Sequence, residues 1–227
     1  MGQRTDERFP ICSTFKMLAA GAVLLRVDHG LEHLDRIVRF TQKEIVPNSP
    51  VTETRVGDAA MSVREICAAA ITRSDNTAGN LMLGFIGVPA ALTAFARSLK
   101  DEMTRLDRIE PDMNEALPDD PRDTSTPAAM LADLRALVRG DALSPSSRDL
   151  LTGWLVQNQT GNERLRAGLP AGWKVGDRGT TNDLAIIWPP DEAPILVSVY
   201  LTGASPDPVR RNEIIAAVGR GIAAMRR

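Results

Sequence analysis

The sequence is poor in several features that would place it in a specialised class of protein. Aromatic residues make up 4% of its 227 positions, which argues against a stacking platform for single-stranded nucleic acid. The 27 basic residues nearly balance the 29 acidic ones, and the net charge of −2 gives no sign of a nucleic-acid partner. Two cysteines, Cys12 and Cys67, are too few for a disulfide framework.

Long apolar runs and metal-binding motifs are also missing. The longest apolar run, MLAAGAVLL, is shorter than a membrane-spanning helix, so no membrane contact is expected. The first residues, MGQRTDERFP, are polar, so the chain as written shows no signal peptide. His29 and His33 lie near a predicted helix end and are interpreted as surface residues, so we expect no metal and no cofactor.

The pattern that is present predicts an α+β protein. Apolar residues recur at helical spacing from Thr14 to about Gly30 and in MSVREICAAAIT and NTAGNLMLGFI. Further helices are predicted at about 88–99, 127–139, 144–157 and 208–227, and the β-rich runs IIWPP and PILVSVYL predict antiparallel strands. We expect one domain with a helical lobe at about 14–157 and a sheet lobe at about 1–13 and 158–227.

Ser13 and Lys16 form a Ser-x-x-Lys pattern at the start of the first predicted helix. Residues three apart share a helix face, so the Lys16 amine can lie beside the Ser13 hydroxyl and activate it as a nucleophile. An N-cap serine with a surface lysine is the simpler interpretation of this pattern alone. The apolar surroundings, PICSTFKMLAAG, instead favour a buried lysine, which needs a partner or a lowered pKa.

Two further segments carry polar groups suited to the same chemistry. Ser74-Asp75-Asn76 lies between two apolar helices, where helix capping is the ordinary role for such residues. Glu110 precedes a proline in the long segment 105–127, with Asn114 four residues on, so the two could hold one water. The alternative for this segment is a solvated acidic loop.

Together, in this order and spacing, these segments resemble a class A β-lactamase from about Arg8 to the C-terminus. Ser-x-x-Lys and Ser-Asp-Asn belong to the motif set of class A β-lactamases and penicillin-binding proteins. The supporting stretches are RFPICSTFK, SVREICAAAITRSDNTAGN, DEMTRLDRIEP, TSTPAAM, TGNERLRAGLPAGW and GTTNDLAIIWPP. The resemblance implies a helical lobe plus an antiparallel sheet flanked by helices, and hydrolysis of the β-lactam ring through a serine acyl-enzyme.

The resemblance also implies catalytic roles for particular residues. Ser13 would attack the lactam carbonyl, and Lys16 would assist, although either lysine or a glutamate-bound water can be the base for acylation. Ser74 would pass a proton to the departing nitrogen. Glu110, together with Asn114, would position and activate the water that releases the product.

Other residues are implied in substrate binding and loop closure. Asn76 would bind the side-chain amide of the substrate and help to order the lysine. Arg108 and Asp123 match an ion pair that closes the glutamate loop. Thr160 and Arg164 match positions that help to hold the substrate carboxylate in some members.

The chain departs from the family where a Lys-Thr-Gly strand should follow WKVGD. Here Asp177 is followed directly by Arg178-Gly179-Thr180, so the motif is absent. In the family this strand supplies a cation for the substrate carboxylate, a hydroxyl and one of two oxyanion-hole N–H groups. Arg178 could replace the cation, but the sequence favours a tight hairpin turn at Asp177-Arg178-Gly179 with the arginine in solvent.

Departures elsewhere affect stability more than chemistry. The family begins with a helix and strand that cover the sheet, whereas twelve residues precede Ser13. We therefore expect a monomer of low stability that can associate through the uncovered strand at 195–201. Asn48 stands where many members carry an aromatic gate residue. Cys12 lacks the partner that it has in carbapenemase-like members, so both thiols are expected to be free.

The sequence leaves two hypotheses of function open and disfavours a third. The chain either hydrolyses β-lactams, with activity impaired by the deletion, or is a catalytically defective remnant of such an enzyme. A penicillin-binding-protein-like acyltransferase is disfavoured by Glu110 and Asn114. The family resemblance implies a periplasmic or secreted protein with a β-lactam as its small-molecule partner.

Overall fold

The structure is a computed structural model, and it describes residues 2–57, 59–178, 182–202 and 207–226, except for the side chain of Arg178. Within these ranges the helices are α1 (Phe15–Asp28), α2 (Val63–Thr72), α3 (Asn76–Ile86), α4 (Pro89–Ser98), α5 (Pro127–Val138), α6 (Pro145–Val156) and α7 (Pro208–Ala224). The strands are β1 (Phe9–Pro10), β2 (Ile37–Val38), β3 (Met61–Ser62), β4 (Thr124–Ser125), β5 (Lys174–Arg178), β6 (Asp183–Trp188) and β7 (Ile195–Val199).

Side-chain caps explain where most of these helices begin. The hydroxyl of Ser62 accepts from the backbone N–H of Glu65, and the Glu65 carboxylate accepts from the Ser62 N–H, which is a capping box for α2. The side chains of Thr126, Ser144 and Asp207 each accept from one backbone N–H in the first turn of α5, α6 and α7, and each residue is followed by proline at the first helical position. The helices predicted from periodicity are confirmed, with ends shifted by a few residues.

Helix α1 is the centre of the helical part of the fold. Its residues from Phe15 to Leu24 are all buried, including one lysine. A helix that is apolar on every side must be surrounded by other elements, and α1 packs against α2, α3, α4, α5 and α6. Of the described helices, none is long and apolar enough to cross a membrane by itself; α3 and α4 together reach that length but are bent by 70° at their junction.

The late strands form an antiparallel sheet in the order β5-β6-β7. Successive side chains of β6 point to opposite faces of the sheet. Leu184 and Ile186 join the core of the helical part, whereas Ala185 and Ile187 pack in a second cluster with α7. The α+β fold with a helical part and an antiparallel sheet flanked by helices is therefore confirmed.

Contacts between α7 and a short 3-10 helix (Leu165–Gly168) close the second cluster. Gly219 of α7 lies so close to this 3-10 helix that an added Cβ would come within 2.4 Å of the carbonyl oxygen of Leu165. The short strand β1 pairs with β4, with Phe9 opposite Ser125, in a separate two-stranded sheet. This pairing places the segment before Ser13 beside the end of the long loop at 105–124.

Candidate active site

Ser13 lies in a 3-10 turn (Cys12–Thr14) that leads directly into α1. The hydroxyl of Thr14 donates to the carbonyl of Ile11 at 2.5 Å, and the hydroxyl of Tyr200 lies 2.8 Å from the same Thr14 oxygen. Cys12 has φ +43°, in the left-handed region that non-glycine residues seldom adopt. The turn is therefore fixed on both sides of the serine, and such strained positions concentrate at functional sites.

Lys16 is fully buried and surrounded by oxygen atoms. Its Nζ donates to Asn76 Oδ1 at 2.6 Å, to the Ser74 carbonyl at 2.9 Å and to Ser13 Oγ at 3.3 Å. Glu110 Oε1 lies 3.3 Å from the same nitrogen. A surface lysine is therefore the wrong interpretation, because this amine is held in place between the Ser13 turn and two other segments.

The three side chains of the Ser74-Asp75-Asn76 turn make different contacts. The Asp75 carboxylate, which is fully buried, accepts from the N–H of Ala78, as an N-cap of α3, and from Val51 N, Thr52 N and Thr52 Oγ1. Capping is thus correct for Asp75 alone. Ser74, at φ +58°, places its hydroxyl 3.2 Å from Ser13 Oγ, and Asn76 contacts the Lys16 amine.

Glu110 is buried, so the solvated acidic loop is wrong for this residue. The predicted ion pair at the base of its loop is confirmed, since Arg108 Nε lies 2.6 Å from Asp123 Oδ2. The other carboxylate oxygen of Asp123 accepts from two loop N–H groups. Asn114 Nδ2 donates to Glu110 Oε2, which brings together the two side chains that the sequence singled out.

Asn80 is a residue that the sequence analysis missed. Its side-chain amide donates to the Glu110 carbonyl and accepts from the Glu110 N–H, both at 2.9 Å. It therefore fixes the glutamate backbone to α3. Its position four residues after Asn76, on the same helix face, is the signal that could have revealed it.

Thr160 and Arg164 belong to a second buried polar cluster, beside β5. The backbone N–H and the hydroxyl of Thr160 both contact Asn158 Oδ1, and the Arg164 guanidinium donates to the Thr160 carbonyl. Arg164 Nε lies 3.9 Å from Asp183 Oδ2. Burial, followed by the charge of Asp177, raises the pKa of Asp183 to about 8. A role of either residue in substrate binding stays a prediction.

The predicted turn at Asp177-Arg178-Gly179 is wrong for its first two residues. Asp177 pairs with Ala185, and Arg178 pairs with Leu184, so both lie in β5. The pairing satisfies their backbone groups, and the buried Asp177 carboxylate is anchored by Arg166 at 2.7 Å. Where the Arg178 side chain points, and the structure of residues 179–181, lie outside the described part of the chain.

Both cysteine thiols are free, and Cys12 adjoins Ser13. Cys12 and Cys67 form no disulfide with each other. Burial raises the pKa of Cys12 to about 11, with a contribution from the charge of Glu110, and burial also raises the pKa of Cys67 to about 12. Since the thiolate is the reactive form, neither thiol is suited to act as a nucleophile at neutral pH.

The arrangement is suited to acyl transfer. A serine hydroxyl lies within reach of an amine and of a second hydroxyl, and a buried carboxylate lies 3.3 Å from the same amine. Groups of these types, so placed, can serve as a nucleophile, as two groups that move its proton, and as a base for a second step.

Comparison with known proteins gives the same assignment. The sequence model of the β-lactamase enzyme family matches residues 1–225. The chain is 50% identical to β-lactamase AST-1 of Nocardia asteroides, over 97% of this chain and 73% of that protein. It is 48% identical to β-lactamase FAR-1 of Nocardia farcinica, over 96% of this chain and 72% of that protein.

Solved structures agree with these relatives. An ancestral class A β-lactamase (GNCA) superposes with a TM-score of 0.96 at 59% identity, and the match covers 99% of this chain and 88% of that one. A second ancestral class A β-lactamase, from the last common ancestor of Gram-negative bacteria (GNCA4), gives a TM-score of 0.97 at 57% identity, covering 100% of this chain and 88% of that one. The chain therefore belongs to the class A β-lactamases.

Proposed function

We propose that the chain hydrolyses the β-lactam ring of penicillin- and cephalosporin-type antibiotics through an acyl-enzyme on Ser13. One observation carries this proposal: the Ser13 hydroxyl lies 3.3 Å from the Lys16 amine and 3.2 Å from the Ser74 hydroxyl. A serine becomes a nucleophile when a neighbouring group takes its proton, and a leaving amine needs a proton in return.

In the acylation step, Ser13 Oγ forms a bond to the ring carbonyl carbon. The hydroxyl proton passes through a water molecule to Glu110, or passes to Lys16 as this amine gives one of its own protons to Glu110. The ring C–N bond then breaks and its electron pair stays on nitrogen. Ser74 passes its proton to that nitrogen and takes one in return from Glu110 by the same route, so Glu110 is ionised again for the second step. The contact between the Ser13 and Ser74 hydroxyls gives this proton a short route.

In the deacylation step, Glu110 accepts a proton from a water molecule whose oxygen bonds to the ester carbon. The bond to Ser13 Oγ breaks, and the serine regains a proton. Asn114 donates to Glu110 Oε2, which leaves the amide and the carboxylate suited to hold that water together. Asn80 keeps the glutamate backbone in place while the loop carries out this step.

Substrate binding is assigned to groups around this centre. Asn76 Nδ2 donates to the Pro47 carbonyl at 2.9 Å, which leaves its second N–H for a substrate amide carbonyl. Thr160, Arg164 and Arg178 are proposed to bind the substrate carboxylate in place of the missing Lys-Thr-Gly strand.

Hydrolysis of a chromogenic cephalosporin by purified protein tests the proposal. We expect turnover above buffer that is lost in Ser13→Ala. The competing hypothesis is a defective remnant, and it predicts the same rate for the wild-type protein, Ser13→Ala and buffer. That outcome would overturn the proposed activity while leaving the family membership untouched.

The protein is proposed to act in the periplasm or outside the cell, as a monomer. In the described part of the chain β7 is an edge strand, so association through this edge at high concentration is expected. Light scattering after size-exclusion chromatography tests whether the protein is a monomer. Fractionation of the producing cells tests where it is located.

A further inference from the structure

Asn182, the residue before β6, carries a buried amide that the proposed mechanism does not use. Its side chain is 2% exposed. The amide nitrogen donates to the Pro10 carbonyl at 2.8 Å and to the Ile11 carbonyl at 3.4 Å, and the amide oxygen accepts from the Leu201 N–H at 3.3 Å. One side chain therefore joins the end of the sheet, where β6 begins and β7 has ended, to the residues that lead into the turn of Ser13.

These three contacts fix the direction in which the amide points. A backbone carbonyl can only accept and a backbone N–H can only donate, so the amide NH2 group must face the two carbonyls and the amide oxygen must face Leu201. Leucine can make none of the three hydrogen bonds, and aspartate would turn a carboxylate toward two carbonyl oxygens. Asparagine therefore suits this position by its size and by its two kinds of polar atom.

Tyr200, which follows β7, contacts the same turn from a second direction. The Thr14 hydroxyl gives its one proton to the Ile11 carbonyl at 2.5 Å, so the phenol must be the donor in the 2.8 Å contact between Tyr200 and Thr14. Burial raises the pKa of Tyr200, which keeps this proton on the phenol. The centroids of the Tyr200 and Phe9 rings lie 5.9 Å apart, so the ring is packed while its hydroxyl binds the turn.

The turn between these contacts needs support from its surroundings. Cys12, the residue before Ser13, has φ +43°, and a non-glycine residue keeps such a conformation only where the surrounding structure fixes it. The Ile11 carbonyl, directly before this residue, accepts from both Thr14 and Asn182. The contacts from the sheet therefore oppose relaxation of the turn that carries the serine.

We propose that Asn182 and Tyr200 are positioning residues that hold the turn of Ser13 against the sheet. The inference rests on the proposed function, since the position of Ser13 affects a reaction only if this serine is the nucleophile. The Ser13 hydroxyl lies 3.3 Å from the Lys16 amine and 3.2 Å from the Ser74 hydroxyl, and relaxation of the turn would change both distances. The two positioning residues act through two carbonyls and one hydroxyl, and neither forms a bond to the substrate.

The loss of these contacts should slow acylation and leave the first binding step largely unchanged. A misplacement of about 1 Å can cost about 10²-fold in rate, because the reacting groups no longer meet in a productive geometry. Asn182→Leu and Tyr200→Phe should therefore lower the rate constant for acylation of Ser13 by about 10- to 100-fold. The loss should be larger in Asn182→Leu, which removes three hydrogen bonds, than in Tyr200→Phe, which removes one.

Stopped-flow acylation by a chromogenic cephalosporin, at a temperature where circular dichroism shows every variant folded, separates the rate constant from the binding constant. Thr14→Ser keeps the hydroxyl and should keep the rate, whereas Thr14→Val should behave like Tyr200→Phe. The control Ser147→Ala removes a buried hydroxyl that binds Asp28 at the opposite end of α1, and it should cost stability without slowing acylation. Unchanged acylation in Asn182→Leu and Tyr200→Phe, or an equal loss in Ser147→Ala, would overturn the proposal.

Hydrogen exchange without substrate distinguishes a failure of this inference from a failure of the proposed function. The amides of residues 12–15 should exchange faster in Asn182→Leu and Tyr200→Phe than in the wild-type protein, while the amides of α6 keep their protection. Unchanged exchange at 12–15, or the same increase in α6, would overturn the proposal. If the wild-type protein hydrolyses no β-lactam but the turn opens in these variants alone, the proposed function fails and the hold on the turn stands.

Discussion

Restoring the missing end of strand β5 should accelerate acylation of Ser13. The change inserts the family segment Lys-Thr-Gly-Ser-Gly between Asp177 and Arg178. It is meant to lengthen β5, which now ends at Arg178. The groups that act on the serine from the helical side are already in place, with Lys16 Nζ at 3.3 Å and Ser74 Oγ at 3.2 Å from Ser13 Oγ. The insertion therefore adds only what the strand supplies.

The expected gain in the rate of acylation follows from the groups that the insertion adds. One oxyanion-hole N–H donor is worth ~10²–10³ in rate, or about 2.7–4 kcal/mol. A lysine that binds the substrate carboxylate adds a charge-assisted hydrogen bond of about 1.5–3 kcal/mol. Deacylation gains only from the oxyanion donor, whereas acylation by free substrate gains from both. The ratio of acylation to deacylation rate constants should therefore rise by ~10–10².

Rapid mixing with a penicillin, followed by mass spectrometry of the intact protein, measures both steps. We expect little acyl-enzyme in the wild-type protein, because acylation limits turnover, and more in the insertion variant. For the same reason, Glu110→Gln should slow turnover less in the wild-type background than after the insertion. The matched control is an insertion of the same length that is made only of serine and glycine residues. Prompt and complete acylation of wild-type Ser13 with slow release, or an equal gain from the control, would refute this reasoning.

Three further predictions concern stability and reactivity. Asp75→Ala leaves four donors, three of them buried, without an acceptor and should destabilise the fold by at least about 3 kcal/mol in urea unfolding. The exposed Asp149→Ala should change stability little. Gly219→Ala forces a Cβ against backbone atoms and should destabilise the fold by about 1–3 kcal/mol. Gly221→Ala, whose Cβ would meet open space, should instead stabilise the fold by about 0.5–1 kcal/mol. A Gly219→Ala variant more stable than Gly221→Ala would contradict the packing of α7. Cys67 should resist iodoacetamide at neutral pH until the protein is unfolded, and rapid labelling of the native protein would be inconsistent with its burial.

Much of the site could be predicted because its residues are tied to local structure. Ser13 and Lys16 share a helix turn, so their spacing alone brings the hydroxyl and the amine together. The Ser74 turn and the Glu110 loop are compact segments whose residue types already indicate their chemistry. Their meeting at Lys16 followed from the resemblance to a family, since nothing in local spacing joins them.

The residues that could not be predicted act through distant partners. Asn80 holds Glu110 from another element, and Asp133 of α5 is fully buried by residues from other elements. Aspartate within an amphipathic helix normally indicates a solvent-facing position, so the sequence gives no hint that Asp133 is buried. The turn predicted at Asp177 failed for a related reason, because strand pairing with β6 overrides the local preference for a hairpin.

The position of the deletion bears on stability and on the predicted defect in acylation in different ways. Within β5 the apolar residue Val175 packs in the α7 cluster and pairs with Ile187, well before the strand ends. The described strand pairs with β6 as far as Arg178, so the residues that pack in the core precede the point of the deletion. We therefore expect this deletion to affect acylation of Ser13 more than the packing of the β5-β6 pair.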